Sequence, residues 1–276
     1  MKLMTNGRKA LLAGVALVGC LGFAFNAQAQ TCTISNWAGG ATNLADGDTG
    51  TQGASNRRYG GPCGLQVDID GTQRFVSDNS PQSETTYIAR FYAFLDNAGS
   101  DPMIIFAADD GADDQIQVWY NFPNAGDLTL RVYDNGGGTN DLTESAVGSG
   151  WHSIEFAWDA AATSDIRFSV DGAADLTASP DTSGLAIVNA HLGNVDGTAT
   201  GGGSVDFDDF DSRRIERPGR LLVGDANDDA TINVFDISAI IDEVQTGTFA
   251  PGQPDCNEDG SINVFDISCL IDIIQS

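Results

Sequence analysis

The densest chemistry in this chain lies in two short acidic stretches near its C-terminus. Asp225-Ala-Asn227-Asp-Asp229-Ala-Thr231-Ile-Asn233-Val-Phe-Asp236 aligns, 30 residues on, with Asp255-Cys-Asn257-Glu-Asp259-Gly-Ser261-Ile-Asn263-Val-Phe-Asp266. Across 225–244 and 255–274, 12 of 20 aligned positions are identical. Oxygen-bearing side chains fall at positions 1, 3, 5, 9 and 12 of each 12-residue loop. By that spacing a loop wraps a hard cation such as calcium, with the carbonyl of position 7 (Thr231 or Ser261) as a further ligand. Asp rather than Glu at position 12 shortens the last ligand and is expected to lower its denticity. Ile232 and Ile262, at position 8, are expected to pair the loops through a short β-bridge. Position 6 normally takes a left-handed backbone, which costs a non-glycine residue roughly 1–2 kcal/mol. It is Gly260 in the second loop and Ala230 in the first, so the first site is expected to be the weaker.

Positioning these loops falls to the segments that follow them. Ile237, Ile240, Ile241 and Val244 lie at i, i+3, i+4 and i+7, as do Ile267, Leu270, Ile271 and Ile274, which predicts one short helix after each loop. Each helix alone would be marginal, whereas two packed face to face make a small domain. No apolar helix precedes the first loop, so the unit is loop–helix and not helix–loop–helix. At these residues the chain closely resembles a dockerin domain, a duplicated calcium loop with one helix after each copy. The resemblance implies two bound Ca²⁺, held by Asp225, Asn227, Asp229, Asn233 and Asp236 and by Asp255, Asn257, Asp259, Asn263 and Asp266. It also implies docking through loop positions 10–11, here Val234, Phe235, Val264 and Phe265. An exposed apolar pair marks an interface. Its candidate occupants are a cohesin-like protein, the chain's own N-terminal domain, or copies of the chain.

Upstream, short alternating runs are broken by Gly, Asp and Asn. Tyr87 to Leu95, Gln115 to Phe122, Leu128 to Tyr133, His152 to Trp158 and Ile166 to Val170 each alternate apolar and polar residues, which predicts antiparallel β-structure in a sandwich or barrel. The run from Trp151-His152 to Trp158-Asp159, the strand Arg167 to Gly172 and the segment Val205 to Phe210 resemble a laminin-G or concanavalin-A-like jelly roll. That fold hosts lectins, adhesion modules and glycoside hydrolases alike. Catalysis has little to work with. His152 and His191 are the only histidines, no nucleophile motif is present, and the Glu-x-Asp-x-x-Glu pattern of jelly-roll hydrolases is missing. Arg90, Tyr92, Gln117, Trp119, Arg131 and Tyr133 alternate with the apolar stripe, and rings beside amide and guanidinium groups would suit a polysaccharide. Asp109, Asp110, Asp113 and Asp114, or Asp206, Asp208 and Asp209, would suit a third calcium in this domain.

The first 29 residues read as a secretory signal, with Lys2, Arg8 and Lys9, an apolar run and an Ala27-Gln28-Ala29 cleavage site. Leu17 to Cys20 resembles a lipoprotein box, but the apolar run continues past it and favours plain secretion to the cell surface or medium. Cys32, Cys63, Cys256 and Cys269 then form an even set, expected to pair as Cys32–Cys63 and Cys256–Cys269. The formal charge is −26, with 39 acids against 13 bases, which excludes nucleic-acid binding and a polybasic membrane contact. No stretch after the leader is long and apolar enough to span a membrane. The organisation expected is a signal at 1–29, a mainly β antiparallel jelly-roll sandwich at 30–215, a basic linker at 216–220 and a small α-helical dockerin-like module at 221–276. The function expected is a non-catalytic, exported, calcium-binding protein joining a recognition domain to an attachment module. The alternatives are a self-assembling extracellular matrix or filament subunit and a polysaccharide-degrading enzyme.

Overall fold

A computed structural model of the chain describes residues 32–34, 37–50 and 57–276. The expected leader and its Cys20 lie outside the described residues. Among the described residues, fourteen strands form two seven-stranded antiparallel sheets packed as a β-sandwich. One sheet runs in the order β1 (Ala41–Thr42), β4 (Arg74–Asp78), β13 (Asn189–Asn194), β6 (Met103–Asp109), β7 (Asp114–Tyr120), β8 (Leu128–Tyr133), β9 (Thr139–Glu144). The other runs β12 (Leu176–Ala178), β11 (Ile166–Val170), β10 (Trp151–Asp159), β5 (Thr86–Phe94), β14 (Ser204–Arg213), β3 (Gly64–Asp68), β2 (Thr49–Gly50). Two helices follow, α1 (Val234–Thr246) and α2 (Val264–Gln275). Among the described residues no helix is long and apolar enough to cross a membrane.

The alternating runs become strands with the expected parity. Tyr87, Ala89, Phe91 and Ala93 of β5 face Ile116 and Val118 of β7, Leu128, Leu130 and Val132 of β8, and Ile154, Phe156 and Trp158 of β10 in one core. β6 escaped the alternation because a register shift between Ile104 and Phe106 turns both Ile105 and Phe106 inward, so its sequence reads as a continuous apolar run. A second shift, between Asp208 and Asp211 of β14, lets Phe210 as well as Phe207 reach the core.

The C-terminal module has its own small core of Ala226, Ile240, Ala250, Cys256 and Leu270. Only Ile240 and Leu270 of the predicted helix stripes are fully buried, while Val244, Ile271 and Ile274 are exposed. Two short helices crossing over a pair of loops offer too little facing surface to cover a full stripe. Ile232 and Ile262 pack against this core as side chains, and no β-bridge joins the two loops among the described residues. The bridge expected between them is therefore not formed. Both expected disulfides are, Cys32–Cys63 and Cys256–Cys269, and such bonds suit an oxidising extracellular environment.

A third cluster explains how the two parts meet. Tyr59, Tyr92, Phe94 and Trp151 pack together outside the sandwich, with Leu221 from the connector against them. This is why β5 is buried on both faces although its sheet has only one inner side.

Candidate metal centre

Each acidic loop folds onto the helix that follows it. In the first, Asp225 accepts the N–H groups of Asp229 (3.0 Å) and Ala230 (2.8 Å), and Asp236 accepts those of Asn227 (3.1 Å) and Asn233 (2.8 Å). The second repeats this: Asp255 accepts Asp259 and Gly260, and Asp266 accepts Asn257 and Asn263. Asp229 and Asp259 cap the turn to Thr231 and Ser261 at 2.9 Å each. Asn233 and Asn263 are helix N-caps, whose side-chain oxygens accept the N–H of Phe235 and Phe265 at 2.8 Å. Their amide groups donate to the carbonyls of Thr231 and Ser261, at 3.2 and 3.0 Å. With Asp236 and Asp266 they complete capping boxes, so the last loop carboxylate also starts the helix.

Among the described residues no base pairs with the carboxylates at positions 1 and 12 of these loops. Asp225, Asp236, Asp255 and Asp266 are buried, and no basic residue follows Arg220. Burial pushes the Asp255 carboxyl up to about 8, with Asp266 and Asp259 adding to the effect. Asp266 is raised as well, chiefly by burial. Three carboxylates with amide and carbonyl oxygens on one 12-residue turn is a donor set that fits calcium. In this arrangement the carboxylates are spread over backbone N–H groups. Among the described residues no three His, Cys, Asp or Glu side chains are gathered closely enough to hold a metal ion.

The second loop is built into the sandwich. Glu258, at its position 4, accepts the Tyr59 hydroxyl at 2.6 Å and pairs with Arg220, while its carbonyl accepts the Trp151 N–H at 2.9 Å. Burial drives the Tyr59 hydroxyl far above the usual phenol range, so it stays a donor. Tyr59 stacks on Tyr92 with centroids 3.6 Å apart. A Cβ on Gly260 would come within 2.5 Å of the Phe94 ring and 2.8 Å of the Arg57 side chain. The first repeat reaches the sandwich through its helix instead, where Glu243 of α1 pairs with the fully buried Arg58. The basic connector is a strap along β10: Arg217 pairs with Glu155 and with Asp175 (2.6 Å), and Glu155 also accepts the Gly219 N–H at 2.6 Å.

The residues expected to dock stand clear of this junction. Val234, Phe235, Val264 and Phe265 are 60, 68, 59 and 67 % exposed, so this face does not fold back on the chain's own sandwich.

The six residues read as a sugar-binding face are divided between the sheets. Arg90 and Tyr92, on β5, are buried where the module docks, and so do not join the rest. Gln117, Trp119, Arg131 and Tyr133 do lie together on β7 and β8. Gln117 accepts from Trp119 Nε1 (2.8 Å) and from the Tyr133 hydroxyl (3.2 Å). Arg131 lies over Trp119 and Phe122 and makes a two-pronged pair with Asp141, both arms 2.8 Å. Of the acids expected to hold a third calcium, five are separately engaged, whereas Asp209 Oδ2 is buried with no hydrogen-bond partner. Asp109 takes Asn189 and His191, Asp110 caps its own turn, and Asp114 takes Gln117. Asp206 takes Arg57 and Gln66, and Asp208 takes the N–H groups of Tyr59 and Gly60.

His152 is a packed strand residue, bridging Asp171 (2.8 Å) and the Gly148 carbonyl (3.0 Å). A hydrogen bond to Asp171 raises its pKa against an opposing burial effect. A chain that no motif announced is Ser77–His191–Asp109, with both contacts 2.8 Å, across β4, β13 and β6. Its order is that of a nucleophilic triad. However, Ser77 N–H is spent on the Gly40 carbonyl, its carbonyl takes Gly39 N–H, and the Gly39 backbone lies against the serine. The three side chains pin adjacent strands.

No family model matches the chain, and no curated protein does. Solved structures that are similar include the botulinum neurotoxin type G receptor-binding domain, at 11 % identity and TM-score 0.43, covering 64 % of this chain and 44 % of that one. The binding domain of botulinum neurotoxin DC in complex with SialylT is similar at 12 % identity and TM-score 0.45, covering 65 % and 45 %. A family 7 alginate lyase in complex with substrate is similar at 11 % identity and TM-score 0.41, covering 57 % and 80 %. The chain thus spans under half the length of the toxin chains it matches.

Proposed function

We propose that this is an exported, non-catalytic, calcium-binding protein in which a dockerin-like module, fixed to a β-sandwich recognition domain, presents an apolar attachment face. The observation that carries the reading is the duplicated 12-residue loop with buried carboxylates at positions 1 and 12 beside four exposed apolar docking residues. Calcium neutralises the loops, and the Val234, Phe235, Val264 and Phe265 surface takes a cohesin-like partner or a second copy. The sandwich offers a polysaccharide the Trp119, Arg131 and Tyr133 surface. Non-catalysis is supported by Glu155, which with Asp159 is one of the two acids of β10. Glu155 is buried beneath the connector and spent on Arg217 and Gly219. The test is calorimetry of the full chain, titrated with calcium and then with neutral and acidic polysaccharides. Two calcium events are expected, with Asp255→Ala removing the tighter one, followed by heat from at least one polysaccharide. No heat with calcium sinks the metal reading, and release of reducing sugar sinks the non-catalytic one.

A further inference from the structure

We propose that the second loop is also a clasp: calcium held there locks the module onto the sandwich, while calcium in the first loop leaves that junction unchanged. The inference rests on the calcium reading above. Its own support is the asymmetry of the junction. Glu258 sits between two ligand positions, Asn257 and Asp259, in a left-handed conformation (φ 58°). Its N–H is held by the Asp255 carbonyl at 3.1 Å, and the next two N–H groups are held by the Asp255 carboxylate. A cation gripped by Asp255, Asn257 and Asp259 therefore fixes the backbone on both sides of Glu258. That one residue then makes three contacts with the rest of the chain, to Tyr59, Arg220 and Trp151.

The fit at this point is close. Gly150, beside Trp151, has φ 102°, and a Cβ there would lie 2.4 Å from the Glu258 carbonyl. Gly260 meets Phe94 and Arg57 as closely. Arg57 in turn lies over the Phe94 ring, 4.2 Å from its centroid. Without the cation, Asp255, Asp259 and Asp266 repel one another, and the turn that presents Glu258 loses its brace. The first loop carries Asp228 at the same position, with no such contacts of its own among the described residues; that repeat reaches the sandwich through Glu243 on α1 and, one step removed from the loop, through the Gly252 carbonyl, which accepts the Gly61 N–H at 3.1 Å. Calcium binding and docking are then linked, and whatever factor one gains from the other is returned.

The connector supplies the readout. Arg220 is the last basic residue, Pro218 follows Arg217, and the Leu221 N–H is buried against the Tyr92 hydroxyl at 2.8 Å. Tryptic cleavage at Arg220–Leu221 releases residues 221–276 as a single fragment, whether or not the module itself is folded. With calcium, the full chain is expected to resist this cut, and chelation is expected to speed it about tenfold. Asp255→Ala and Glu258→Gln are expected to be cut at the chelated rate even in calcium, and Asp225→Ala at the protected rate. Tyr59→Phe, which loses one hydroxyl, falls between. Calorimetry on Glu258→Gln is expected to keep two calcium events, one weakened by the same factor. Equal cutting with and without calcium, where calorimetry shows binding, overturns the clasp and leaves the calcium reading standing. So does a protected Glu258→Gln or an unprotected Asp225→Ala. No calcium binding at all overturns both.

Discussion

The two C-terminal repeats began from one pattern, and their differences follow what each one touches. Eight of the 20 aligned positions differ. Two of them, Ala226 against Cys256 and Ala239 against Cys269, exchange an alanine contact for a disulfide. Two more, Asp228 against Glu258 and Ala230 against Gly260, fall where the second loop bears on Tyr59, Phe94 and Arg57. A fifth, Glu243 against Ile273, falls where only the first helix does: Glu243 is buried on Arg58, and Ile273 is 39 % exposed. The remaining three are conservative. The candidate ligands at positions 1, 3, 5, 9 and 12 do not differ at all. Divergence between copies of a loop thus reads out tertiary contact, and identity reads out the local chemistry both retain.

The sharpest way to break this comparison is to remove a contact that only one repeat has. Glu243→Ala leaves Arg58 fully buried without its partner and frees the Ala250 N–H that Glu243 also holds at 2.8 Å. Breaking a buried ion pair from one side costs about 3–5 kcal/mol. Ile273→Ala, at the matching position, is expected to cost less than about 1 kcal/mol. Denaturant unfolding in saturating calcium measures both, and similar losses would mean that the junction contributes nothing to stability.

A second contrast follows from position 6. Gly260→Ala sets a methyl into the Phe94 ring and the Arg57 side chain. Overpacking of that kind costs about 1–3 kcal/mol, and the left-handed backbone (φ 80°) adds about 1–2. A total near 3 kcal/mol is expected from the same unfolding measurement. If the loss is only that of the left-handed backbone, the second loop is not seated against β5 as described.

Much of this was legible in the sequence. Periodicity placed the strands that bury one face, and cysteine count placed both disulfides. The duplicated loops and their helices came from spacing, and the exposed Phe235 and Phe265 from the family resemblance those loops carry. What could not be read was anything set by long-range contact. Arg90 and Tyr92 alternate as an outward face should, yet both are buried, with Tyr59 and Leu221 against Tyr92, and alternation carries no record of what lies above a sheet. Arg58 and Tyr59 fall in none of the alternating runs, yet they are wedged in the junction. Ser77, His191 and Asp109 come from strands far apart in sequence. One signal was available: a difference between repeats, such as Glu243 for Ile273, marks a site where one copy has acquired a partner.

The smallest expected effect tests whether position 6 separates the two sites for the reason the sequence suggested. Ala230 does adopt the left-handed conformation, with φ 61°, so the penalty on a non-glycine residue is present in the first loop. Ala230→Gly removes roughly 1–2 kcal/mol of that strain. Glycine also has more freedom to lose on folding, which takes back roughly 0.5–1 kcal/mol. The net gain expected is about 0.5–1 kcal/mol, or about a two- to fivefold tighter first calcium event in calorimetry. The second event is expected to stay where it is, since its loop does not share this backbone. If the first event does not tighten, the left-handed cost is not what distinguishes the sites. The difference then belongs to the sandwich, which braces the second loop through Glu258 and Gly260 and leaves the first loop to brace itself.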